Sequence, residues 1–314
     1  MTESFTELKG FSSFSDVDIT NAIQYSIIEF FNWGFLNKGA FTNIAVGNSD
    51  LDGNNLATLR KVDDPNYTDG QVWETFHHNL VWESGLTTSV QPIKISGVYI
   101  NGTLRTPTTS GYTHYIDYPR GRVIFDSAIS ASSVKMEYSY KTVTFDKLAV
   151  YPEVMELQLN TYNFGPGYNT ASSGDWSSLL RTQMPLVAIE ASPRVSYNPY
   201  SLGTGAQYVE TDILMHVFDV NDTTVNKLLS FISLQKEKTI YMLDVTLMAT
   251  SGAFPLDYRG TITSGTKTYE QLINGNYRSK QLRFSEARSQ GLDLLQDSVY
   301  HGVVRFTTET ITTV

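Results

Sequence analysis

No cysteine occurs among the 314 residues, which removes disulfides, thiolate nucleophiles and cysteine-ligated zinc from consideration. Charge is also scarce. Asp, Glu, Lys and Arg make up 18 % of the chain, against about 25 % in a typical soluble protein. The balance is acidic, with a formal charge of −9 and a pI near 5.0, and no basic cluster interrupts it. Even Lys236-Glu237-Lys238 is split by an acid. A protein that grips nucleic acid by its phosphates carries a basic stripe, because neutralising phosphates releases counterions. Phosphate gripping is therefore not expected, whereas an acidic wall past which DNA slides is compatible. No apolar run approaches the roughly 18–20 residues of a membrane span. Met1-Thr2-Glu3-Ser4-Phe5 lacks the basic and apolar stretches of a signal peptide. The expectation is a chain made in a cytosol, away from membranes, with the Asn-x-Thr triplets at Asn66, Asn101 and Asn221 serving as turns.

What is abundant is aromatic and apolar. Tyrosine occurs 19 times, phenylalanine 16 times, and 41 % of residues are hydrophobic, a mixture that suits strands and broad protein contacts. Between Ile95 and Tyr140 the turn chemistry of successive hairpins is explicit. Val98-Tyr99-Ile100 meets Thr103-Leu104-Arg105 across Asn101-Gly102, the pair that best tolerates positive φ at both centres of a tight turn. Tyr115–Tyr118 and Arg122–Phe125 flank Pro119-Arg120-Gly121, where proline presets φ and glycine takes the left-handed position. Val134, Met136, Tyr138 and Tyr140 then alternate with Lys135, Glu137, Ser139 and Lys141, which predicts a strand with one core face and one wet face.

Around this module the chain divides into three. Residues 1–84 hold a helix and an extended segment, residues 85–145 the hairpins, and residues 146–314 an α+β domain. Ser15-Asp16 offers a helix N-cap, Ile19, Ile23, Ile27, Phe30 and Phe31 recur at helical spacing, and Gly34 and Gly39 are the expected stops. The aromatic end, Phe30, Phe31, Trp33 and Phe35, either closes the core of its own domain or docks on a neighbouring subunit; these four are the candidate interface residues. Asn43–Asp69 reads as loop or short strands, Val72–Phe76 and Leu80–Trp82 as strands. Pro152 makes a single helix through Lys147–Leu157 doubtful, and Phe164–Ser178 reads as a long loop. In the last third, Val209–Val220 reads as a strand covered on both faces, and Asn221 or Asp222 caps a helix with Val225, Leu228, Leu229 and Ile232 on one face. Thr239–Val245 and Val303–Glu309 complete a sheet with one packed helix. The fold class is α+β, mainly β, with a sandwich- or barrel-like hairpin module.

Catalytic signals are weak throughout. His77 and His78 are adjacent and would face opposite sides of a strand, while His114, His216 and His301 are isolated, so no metal site is expected. Asp50-Leu51-Asp52-Gly53-Asn54-Asn55 has the alternating oxygens of a calcium loop, but its twelfth position is Lys61 instead of glutamate; an Asx-rich turn is the better reading. Asp212 and Asp244, on strands expected to be neighbours, form the one carboxylate pair with glycosidase-like potential. The glycines of Tyr200–Ala206 precede a strand instead of opening a helix, so a nucleotide loop is not expected. No cofactor is implied and no enzyme is expected.

Three blocks carry a resemblance. They are the early helix continuing into Phe30-Phe31-Asn32-Trp33-Gly34-Phe35-Leu36-Asn37-Lys38-Gly39, the hairpin module from Val98 to Tyr140, and Gln183–Glu190 with Tyr200-Ser201-Leu202-Gly203 leading into the strand–helix–strand unit. Together they resemble virion structural proteins of tailed bacteriophages, of the head–tail neck or tail-terminator type. The resemblance implies a ring of six or twelve copies in the virion, stacked on portal-adaptor or tail-tube proteins, through which DNA passes without specific binding. It carries no catalytic residue. Two readings of other classes compete: a carbohydrate-binding or adhesin module using Trp73, Trp82 and Trp176, and a tail-embedded hydrolase, which needs acids converging in one cleft.

Overall fold

A computed structural model of the chain describes residues 18–49, 53, 55–150, 183–201, 206–296 and 299–313. In chain order the elements among them begin with helix α1 (Ile19–Leu36), β1 (Phe41–Ile44), β2 (Arg60–Lys61), β3 (Val72–Glu74), β4 (Val98–Ile100) and β5 (Thr103–Arg105). Next come β6 (His114–Asp117), β7 (Arg122–Phe125), β8 (Val134–Lys135), β9 (Tyr138–Lys141) and β10 (Thr144–Lys147). The remainder is β11 (Leu186–Pro199), β12 (Ala206–Asp219), α2 (Asp222–Ser233), β13 (Thr239–Leu243), α3 (Val245–Ser251), α4 (Tyr269–Asn274), β14 (Arg278–Gln296) and β15 (Val299–Thr313). The class is α+β and mainly β, as the sequence predicts.

Helix α1 starts where Asp18 Oδ1 accepts the Asn21 N–H at 2.9 Å, satisfying one orphan donor of the first turn. Ser15-Asp16 lies outside the described residues. Gly34 does not stop the helix, which runs on to Leu36. A Cβ added at Gly34 would meet nothing within 4 Å, and glycine inside a helix costs about 1 kcal/mol relative to alanine. Gly34→Ala is therefore expected to raise the chemical-denaturation midpoint, by about 0.5–1 kcal/mol.

Two cores organise the molecule. The first lies under a six-stranded sheet of order β10-β11-β12-β15-β14-β13, antiparallel except for the parallel β10–β11 pair. Helices α1 and α2 lie on one face of it. Ile23, Ile27 and Phe31 of α1 meet Val225, Leu229 and Ile232 of α2 over Ile213, Met215, Phe284 and Phe306. The expected single packed helix is therefore a pair, because the N-terminal helix joins the C-terminal sheet. Buried Ser26 fastens it there: its hydroxyl donates to Ala22 O at 2.6 Å and accepts the N–H of Leu243, the last residue of β13, at 2.9 Å. A boundary at 84 thus cuts across both cores, since α1 belongs to the sheet and residues 41–82 to the hairpins.

The second core is enclosed by three small sheets, β1-β9, β2-β3-β7-β6 and β5-β4-β8, around Val98, Ile116, Val123, Phe125, Met136 and Tyr138. Both predicted hairpins are present. Asn101 and Gly102 take φ of 48° and 81°, and Gly121 takes 66°, where its missing side chain also matters: a Cβ would lie 2.3 Å from Thr75 Oγ1. The wet face expected along Lys135–Lys141 is closed at one end. Ser139 and Lys141 are buried, because Ser139 Oγ donates to Asn43 at 2.6 Å and accepts the Ile93 N–H at 2.7 Å, while Lys141 is covered by Glu83. Phe164–Ser178 lies outside the described residues, as does most of Asp50–Asn55.

The segment between α3 and α4 crosses from the sheet to the hairpins. Tyr118 N–H donates to Gly260 O at 2.9 Å, and Leu256 packs against the second core.

Candidate functional site

Along β12, alternation sends Ile213, Met215 and Val217 toward the helices, so Glu210, Asp212, Leu214, His216 and Phe218 take the opposite face. On that face, opposite α1 and α2, two zones differ. At one end Phe218 joins Leu148, Leu186, Ala188 and Val299 in a small apolar cluster. Two histidines that are 85 residues apart meet beside it, His216 Nδ1 lying 3.2 Å from His301 Nε2. The His301 ring stacks on Phe218 with centroids 4.4 Å apart and planes within 6°, and Glu190 stands 3.6 Å from His216 Nε2. Burial, and then the neighbouring His216, press His301 down to about 4; burial also lowers His216, against the pull of Glu190. Both rings are thus neutral at pH 7. A histidine with a depressed folded pKa contributes stability that is fully present above its unfolded value near 6.5 and is lost as pH falls through about 4. His301→Phe, which keeps the stack and deletes the titration, is expected to lessen the fall in melting temperature between pH 7 and pH 4.

At the other end the face opens into a polar cleft of about 460 Å³ lined from β11, β12, β14 and β15. Its charges are largely spent on one another. Asp212 accepts from Arg305 and from Thr307 Oγ1 at 2.9 Å. Glu286 holds Arg288 at 3.1 Å, and Arg283 lies between Glu309 at 3.8 Å and Glu237. Glu210 is directly opposite Glu309 in the β12–β15 register. Like charges so placed repel, and Glu210 has no ion-pair partner among the described residues. What the cleft can do is receive a cationic group.

The sequence-predicted site residues lie elsewhere. Phe31 is buried and stacks on Phe145, centroids 5.5 Å apart. Phe35 meets Phe145 at 4.8 Å and Phe30 meets Tyr269 at 6.1 Å, while Trp33 is buried with Leu36, Val81 and Leu86. The docking reading of Phe30, Phe31, Trp33 and Phe35 is corrected for Phe31 and Trp33, which are buried inside their own subunit, while Phe30 and Phe35 are partly buried against the first core. Asp212 and Asp244 are also not neighbours, because β15 and β14 stand between β12 and β13. Asp244 instead caps α3 through the Leu247 N–H at 2.9 Å. His77 stacks on Tyr140 at 3.7 Å and His78 turns to Glu74 at 3.1 Å. Among the described residues no group of three or more histidines and acids is arranged to hold a metal ion.

One cluster was invisible in the sequence because its members are scattered along it. Lys141 Nζ lies 2.6 Å from Glu83 Oε1, and both side chains are buried. Glu29 of α1 is half-buried nearby. Burial pushes its carboxyl up to about 7; Lys141 opposes this, Glu83 and Asp146 add to it, and a hydrogen bond with Tyr25 opposes it again. The ammonium of Lys141, paired with Glu83, thus also acts on Glu29 where α1 meets the hairpin module.

Compared with known proteins, the chain matches no protein-family model and no curated protein.

Proposed function

We propose that this chain is a structural subunit of a phage head–tail junction, of the neck or tail-terminator type, assembling as a ring of six or twelve copies around a DNA channel in the virion. The observation that carries the assembly is an open sheet edge. β13 pairs with β14 only between Arg278 and Arg283, so among the described residues the backbone of Glu286–Gln296 has a strand neighbour on one side alone, β15. A long strand left unpaired on one side is a template for another chain. The acidic balance of −9 fits a channel that DNA passes without sticking, since like charges repel within about a Debye length, ~10 Å at 0.1 M salt.

No specific observation favours the carbohydrate-binding reading. Trp73 is buried and Trp82 half-buried against the second core, which leaves neither ring as a flat platform for a sugar, and Trp176 lies outside the described residues. The test is light scattering of the purified chain followed by negative-stain imaging. Closed rings of six or twelve copies are the expected result. A monomer at every concentration, with a glycan-dependent melting shift, overturns the reading in favour of the adhesin.

A further inference from the structure

The exposed knob Tyr258-Arg259 is built as rigidly as a buried site. Tyr258 is 88 % exposed, yet its hydroxyl accepts the Arg259 Nε–H at 2.8 Å. The guanidinium carbon lies 5.3 Å from the Tyr258 ring and 5.6 Å from the Tyr115 ring, and Tyr115 is itself within 3.3 Å of the Tyr67 hydroxyl. Beneath the knob, Asp257 Oδ1 accepts the Arg259 and Thr261 N–H groups at 2.8 and 3.0 Å. Gly260, at φ 72°, passes so close to the hairpins that a Cβ would lie 2.5 Å from Asp117 Oδ1. Among the described residues no carboxylate forms an ion pair with Arg259. A guanidinium held against two tyrosine rings has the composition of an interface anchor, and each contact already made in the free chain lowers the entropy still to be lost on binding.

The opposite requirement exists on the sheet. Among the described residues the cleft holds Glu210 without an ion-pair partner, opposite Glu309, which Arg283 approaches at 3.8 Å, so a cation placed there supplies Glu210 with a counter-charge. The cleft reaches Ser285 and Glu286 on β14, where the open edge begins. The geometry points to a contact between copies of this chain in which the Tyr258-Arg259 knob of one enters the Glu210–Glu309 cleft of the next. This rests on the ring reading above and specifies one of its contacts. Knob and cleft are different surfaces, so repetition of the contact by rotation closes a ring, whereas a reciprocal pair of contacts gives a two-fold dimer.

The chain's lack of cysteine makes the test direct. The double variant Tyr258→Cys/Ser196→Cys carries the only two thiols, one on the knob and one in the cleft wall, and is treated with a short thiol-reactive bifunctional cross-linker. A ladder of covalent species ending at the ring size is the expected result, with dimers alone when the two single variants are mixed. Arg259→Glu in the uncross-linked chain is expected to weaken association at least about tenfold, because it sets like charges face to face, with restoration when mixed with Glu210→Arg. Cross-linked dimers alone from the double variant support the contact and overturn the ring. Rings by light scattering with no cross-link overturn the contact and leave the ring reading standing. Monomers with no cross-link overturn both.

Discussion

Lys141→Met is expected to lower the stability of the chain by about 3–5 kcal/mol, the usual cost of removing one partner from a buried ion pair. The loss has little to do with side-chain volume. Lys141 and Glu83 touch at 2.6 Å with both side chains 7 % exposed or less, so the variant leaves a carboxylate out of water with its counter-charge gone. Among the described residues the second oxygen of Glu83 accepts only the Trp82 N–H, at 3.1 Å, which cannot replace an ammonium. The double variant Lys141→Met/Glu83→Leu is expected to recover most of the loss, because apolar groups of similar volume often match a buried pair. Urea denaturation of the three proteins at pH 7 measures it. A loss below about 1 kcal/mol for Lys141→Met, the range of exposed pairs, would show that water reaches the junction.

The second large effect is a pH dependence with its sign set by Glu29. Its folded pKa, about 7, lies above the ordinary glutamate value near 4.5, so the folded chain holds a proton that the unfolded chain releases. The contribution to stability is complete below about pH 4.5 and disappears as pH rises through about 7. A difference of that size corresponds to about 3 kcal/mol. Glu29→Gln keeps the shape and a neutral amide but cannot ionise. The variant is expected to match the parent near pH 5 and to exceed it by up to about 3 kcal/mol near pH 9, read from denaturation midpoints across that range. Parallel pH profiles for the two proteins would remove Glu29 from the account. Lys141 and Glu29 belong to one cluster, so their effects should not add: without the ammonium, Glu29 binds its proton more tightly still.

Acid and base therefore act on different parts of the molecule. The His216–His301 pair on the sheet face opposite α1 and α2 loses stability toward low pH, and the Glu29 junction loses it toward high pH.

Legibility in the sequence followed the range of the interaction. The Asn101-Gly102 and Pro119-Arg120-Gly121 hairpins were readable because four or five residues contain their whole cause. The Asn221 cap, the apolar stripe of α2 and the core strand β12 were readable for the same reason. β14 was not. Its exposed half, Glu286-Ala287-Arg288-Ser289-Gln290, has no apolar alternation, and it is a strand because β15 supplies its hydrogen bonds from across a hairpin. The period-2 reading of Val134–Tyr140 found the core face but misjudged Ser139 and Lys141, since the residues that cover them lie 46 and 58 positions away.

The sequence by itself determined the class, the hairpins and the absence of any cysteine-based chemistry, all of which depend on composition or on neighbours along the chain. Only the tertiary structure decided where α1 spends its aromatic end, that Asp212 and Asp244 are separated while His216 and His301 meet, and that Lys141 pairs with Glu83 beside Glu29. Those outcomes depend on which distant backbones are brought side by side, and the charge or burial of a side chain takes its energy from that placement rather than from its neighbours in sequence.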